Sequence, residues 1–81
     1  MTTNQIFMSE LEPGMSGEVV AFQKADSMCR RLQDLGLVEG TRVTCLGRSL
    51  WGDPAAYRIC GAIIALRRED CAQILLRVNA E

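Results

Sequence analysis

The stretch "DLGLVEG", Asp34 to Gly40, separates two different hydrophobic periods. Before it, "ADSMCRRLQDLG" sets Met28, Leu32 and Leu35 at i, i+4 and i+7, the spacing of an amphipathic helix, with Asp26 or Ser27 placed to cap the first turn. After it, "TRVTCLG", Thr41 to Gly47, alternates Val43 and Cys45 against Arg42, Thr44 and Leu46, the pattern of a half-buried strand with Cys45 directed to the core. The residues between must change the chain from one period to the other. Gly36 can take the left-handed conformation that closes a helix, Leu37 can fold back as the apolar contact of that cap, and Gly40 can turn the chain into the strand. The heptapeptide therefore reads as one helix-to-strand corner.

Working outward, "LEPGMSG" carries Pro13 and Gly14 in the order of a type II turn. "GEVVAFQK", Gly17 to Lys24, is rich in branched and aromatic residues and predicts a strand. Strict alternation would put Val20 and Phe22 on one face and Val19 and Ala21 on the other. Downstream, "WGDPAA" is a loop, since Asp53 before Pro54 is pushed extended and Pro54 has no donor for a ladder. "YRICG" and "AIIAL" predict two strands meeting near Gly61 in a bulge or tight turn. "RREDCAQ" predicts one helical turn, and "ILLRV", Ile74 to Val78, a last strand. The fold expected is mainly β: a small barrel of about five strands, with one α-helix after the first strand and a short helical turn before the last. An open α+β sandwich is the other arrangement these elements allow. Residues 1–10 are expected to form a flexible start, 11–78 the domain, and 79–81 a tail.

At 81 residues there is room for one compact domain, which buries roughly 60% of the surface its unfolded chain exposes. Hydrophobic residues at 48% and charged ones at 23% match an ordinary folded domain rather than disorder. The net charge of -1, with no lysine- or arginine-dense stripe, argues against nucleic acid as a partner. "MTTNQIFMSE" lacks the basic start and apolar run of a secretory signal, and "AIIAL" is far below the ~20 apolar residues that cross a bilayer. A cytoplasmic protein with four free thiols is the expectation.

Chemistry is thinly represented. Histidine is absent, which removes the commonest general base and the commonest transition-metal ligand together. The carboxylates are scattered apart from Glu69-Asp70, so no catalytic site, cofactor or metal is assigned. Cys29, Cys45, Cys60 and Cys71 never stand two to four residues apart, the spacing by which paired ligands reach zinc, and are read as small core residues. A thiolate cluster would require distant cysteines, such as Cys45 and Cys60, to face each other. Candidate partner-binding residues are Arg30 and Arg31 on the helix, Arg48, Leu50 and Trp51 in and before the loop, and Tyr57 and Arg58 after it. Bulky apolar groups beside arginine are typical interface anchors. The plainer alternatives are a solvated arginine face and a Trp51 that lids one end of the barrel.

The segments "LEPGMSGEVV", "RRLQDLGLVEGTRV", "GDP" and "GAIIALRREDCAQILLRV", in that order, resemble the FeoA-type ferrous-iron-transport accessory proteins and the related SH3-like domain of iron-dependent repressors. The resemblance runs from about Leu11 to Val78. It departs at Glu39, where proline is common, and at Cys71, where alanine is common. It implies an SH3-like barrel without catalytic residues, working beside the membrane transporter FeoB and docking on its cytosolic, GTPase-bearing part. The repressor side of the resemblance implies the alternative of a metal-sensing domain. An exposed strand edge would permit a homodimer.

Overall fold

The computed structural model describes residues 2–24, 26–50 and 52–80. Its strands are β1 (Thr2–Phe7), β2 (Ser16–Phe22), β3 (Arg42–Arg48), β4 (Ala55–Ile59), β5 (Ala62–Leu66) and β6 (Ile74–Ala80). Helix α1 (Ser27–Asp34) follows β2, the single turn α2 (Arg68–Cys71) precedes β6, and a 3-10 turn, Met8–Glu10, follows β1. All six strands join one antiparallel sheet in the order β1-β6-β2-β3-β4-β5. The sheet curls over a core of Met8, Leu11, Val19, Leu32, Leu37, Val43, Tyr57, Ile74 and Leu76 with their buried neighbours. The fold is mainly β, as expected, with β1 and β5 as its two edges.

The corner folds as its local signals dictate. Asp26 Oδ1 accepts the Cys29 N–H at 2.9 Å, which satisfies one orphan donor of the first turn. At the other end the Leu37 N–H reaches Leu32 O at 3.0 Å and the Gly36 N–H reaches Gln33 O at 3.0 Å, the paired bonds of a Schellman cap. Gly36 has φ +108°, and Leu32 and Leu37 are both buried, so the apolar contact of that cap is part of the core. The Thr41 hydroxyl donates to Gly36 O at 2.9 Å, and Gly40 and Thr41 bond the backbone of Val19, which fixes the corner against β2.

Four expectations change. The loose start over residues 1–10 is instead strand β1, paired with β6 from Thr2↔Ala80 to Phe7↔Leu75, and Met8 just after it is fully buried. The sheet therefore has six strands rather than about five. In β2 the register slips between Val19 and Ala21, a bulge at Val20 that breaks strict alternation. Val19 and Phe22, three residues apart, consequently both pack on the core, where alternation had separated them. On α1 the buried pair is Cys29 and Leu32, whereas Leu35 is 57% exposed: an eight-residue helix closes before its third apolar residue can turn inward.

β4 and β5 form a hairpin whose two-residue turn has φ +51° at Cys60 and +81° at Gly61, with Ile59 paired to Ala62. Positive φ at both positions is the type I′ geometry that matches strand twist. The "GDP" loop also has a structural task. Asp53 Oδ1 accepts the Arg68 N–H at 2.8 Å, so a carboxylate from the loop satisfies the first turn of α2.

Candidate docking surface

Helix α1 lies between two grooves, and this geometry organises the surface. On one flank, a cleft of about 540 Å³ between α1 and the end of β2 is bordered by Gln23, Lys24, Arg30, Gln33, Val38 and Glu39. On the other, a groove of about 480 Å³ between α1, β5 and α2 is bordered by Met28, Arg31, Leu35, Ile64, Arg67 and Glu69. Both mix apolar walls with charges of both signs. Such surfaces suit recognition of a folded or extended partner better than capture of a small charged ligand.

The sequence-predicted residues separate into distinct places. Arg30 and Arg31 are exposed on α1 and border the two grooves, one each. Arg58 is exposed on the outward face of β4, beside Arg42 and Thr44. Leu50 is 89% exposed near the start of the loop after β3, and Trp51 lies outside the described residues. Arg48 and Tyr57 are structural. The Arg48 guanidinium donates to Leu11 O at 2.8 Å and to Ser9 O at 3.4 Å, tying β3 to the segment after β1. Tyr57 is 1% exposed and its hydroxyl points to Met8 O at 3.4 Å, so it belongs to the core and not to a partner surface.

Leu35, Met28 and Ile64 were not singled out for binding from the sequence. Their signal was present, because helical spacing marked Met28 and Leu35 as apolar, but it was spent on the core.

The thiols are equally separated. Cys45 is buried and paired with Tyr57 across β3 and β4, while Cys60 is exposed at the hairpin turn, its Sγ 3.6 Å from Gly36 O. The two do not face each other. Burial pushes the Cys71 thiol up to about 11, and burial next to the Asp26 carboxylate raises Cys29 as well. These thiols stay protonated at neutral pH and are poor nucleophiles and poor ligands. Burial likewise holds the Tyr57 phenol well above its ordinary value. Among the described residues no three Cys, Asp or Glu side chains gather closely enough to hold a metal ion. No described helix is long and apolar enough to cross a membrane.

A six-stranded antiparallel sheet curled over one small core, with grooves flanking a single helix, is the architecture of a small SH3-like module. The FeoA domain family model matches residues 7–78, and the chain belongs to that family. It is 33% identical over 67 residues to a Porphyromonas gingivalis protein described as an Fe(2+) transport protein A/Fe(2+) transporter FeoB fusion; that match covers 83% of this chain and 8% of the relative. The FeoA-like protein of Clostridium acetobutylicum superposes with a TM-score of 0.87 at 31% identity, covering 100% of this chain and 93% of that one. The FeoA of Stenotrophomonas maltophilia, solved with zinc and described as a procaryotic SH3 domain protein, superposes with a TM-score of 0.80 at 27% identity over 88% of each chain.

Proposed function

We propose that this chain is an accessory protein of bacterial ferrous iron uptake. It docks on the cytosolic, GTPase-bearing part of the transporter FeoB and modulates transport without catalysing a reaction itself. The observation that carries this proposal is the fused relative, in which the corresponding domain and FeoB share one polypeptide. A short tether raises the effective concentration of a module at its partner to about the millimolar range, so fusion serves a pair that works in contact. A separate chain must achieve the same proximity by affinity. The helix α1 offers the surface for this, with Arg30 and Arg31 available for an acidic patch and Leu35 and Val38 exposed beside them. Charges of that kind steer encounter, and apolar groups slow release.

The experiment is co-precipitation of the full chain with the cytosolic portion of FeoB, in GDP and in a non-hydrolysable GTP analogue. Retention in at least one state, weakened about tenfold or more by Arg30→Glu with Arg31→Glu, is expected. Equal retention of parent and variant would move the docking face elsewhere. No retention in either nucleotide state would remove the proposal.

A further inference from the structure

Strand β5 is an edge of the sheet, and its five residues, "AIIAL", include no charge, no proline and no bulge. Edge strands are normally blunted by such devices because their unpaired backbone groups template further pairing. Here the edge is instead apolar and open: Ile63 is 65% exposed, and Ala62 and Ala65 are exposed. In the hairpin Ile59 and Ala62 flank the two-residue turn as a bonded pair, so Ala62, Ile64 and Leu66 bond to β4. The N–H and C=O groups of Ile63 and Ala65 then point away from the sheet. Among the described residues they have no backbone partner.

We infer that a second copy of this chain pairs there, β5 against β5, antiparallel about a two-fold axis through Ile64. The sequence is complementary to itself in that register. Ile63 falls opposite Ala65 of the partner copy and Ala62 opposite Leu66, so each large side chain meets a small one, with only Ile64 facing itself. Charge selects the same orientation. The basic pair Arg67-Arg68 follows directly on Leu66, and antiparallel pairing about Ile64 sets the two copies of Arg67 six residues apart, about 20 Å. Parallel pairing would set them side by side. The cleft beside Arg30, on the other flank of α1, stays open for a different partner. A five-residue joint buries less than the roughly 1,200 Å² of a stable complex, so this is a weak, concentration-dependent dimer.

Sedimentation equilibrium of the full chain between about 10 μM and 1 mM, the range of a weak association, tests it. The average mass is expected to rise from 8.9 kDa toward twice that value. Ile63→Lys, at a position already exposed, is expected to keep the melting temperature and hold the chain monomeric. Amide exchange read by NMR should slow at Ile63 and Ala65 as concentration rises, with the β1 edge unchanged. A monomer throughout the range overturns the inference. A dimer that survives Ile63→Lys with both amides unprotected also overturns it, because it forms through another face. Protection of those amides only when the cytosolic part of FeoB is added would give the edge to the transporter and equally overturn it. None of these outcomes depends on whether the chain modulates uptake.

Discussion

Gly17→Ala should destabilise this protein by far more than one methyl group ordinarily does. Gly17 is buried on β2 against β6, and a Cβ built there meets Val78 Cγ1 at 2.9 Å, Arg77 O at 3.1 Å and Leu76 Cβ at 3.2 Å. Ordinary carbon contacts lie near 3.5–4.0 Å. The valine methyl could rotate aside, but the carbonyl and the Cβ are fixed to the strand, so β6 itself must retreat by about half an ångström. Overpacking of this kind costs about 1–3 kcal/mol. Gly17 does not occupy the left-handed region, so no backbone strain adds to the clash. Gly47, also in a strand, supplies the control: nothing lies within 4 Å of its Cβ position. Gly47→Ala should be neutral or gain about 0.4–1 kcal/mol from the stiffer unfolded chain. A domain of 81 residues has only about 4–12 kcal/mol in total. At about 4–8 °C per kcal/mol for this size, Gly17→Ala should melt about 5–20 °C below the parent and Gly47→Ala at or slightly above it. Thermal denaturation followed by circular dichroism reads both. A Gly17→Ala variant melting with the parent would refute the close approach of β2 and β6.

The Asp26 carboxyl is held below its ordinary value chiefly by the backbone N–H of Cys29, so the stability it lends is present above the unfolded value of 3.8 and disappears as pH falls through the folded one. Asp26→Asn should keep the cap while flattening the acid side of the stability profile, and Asp26→Ala should lower the melting temperature at neutral pH. Thiol titration should show one fast cysteine, Cys60, and three that react only on opening, since Cys29, Cys45 and Cys71 are buried. Cys60→Ser should abolish the fast phase alone. Arg48→Ala removes a charged donor from Leu11 O and should cost about 1.5–3 kcal/mol. Under the proposed docking, its folded fraction should keep the parental affinity for FeoB, because the Arg48 guanidinium is engaged by Leu11 O and Ser9 O.

What the sequence made legible was local. The Asp26 cap, the Gly36 closure, the inward Leu37 and the alternation of Val43 and Cys45 rest on neighbours within a few residues, and each is found where it was expected. The rest depends on partners remote in sequence. "TTNQIF" holds too few apolar residues to announce a strand, and β6 supplies its pairing. The bulge at Val20 is settled by the match between β2 and β6. "AIIAL" is legible as a strand, and only the sheet order makes it an edge. Tyr57 was assigned to the surface beside a loop, yet Ala55, Tyr57 and Ile59 alternate inward, a signal that a strand begun two residues earlier would have revealed. The surface was the least legible part, because exposure of Leu35 and Leu50 follows from where the helix and loop stop, not from residue type.

Titration of the isotopically labelled chain with the cytosolic part of FeoB, followed by NMR, tests the central claim most directly. Saturable shifts confined to α1 and its flanking residues, with Arg30 and Arg31 among them, are predicted. An unchanged spectrum in the presence of excess FeoB, with GDP and with a GTP analogue alike, would contradict it.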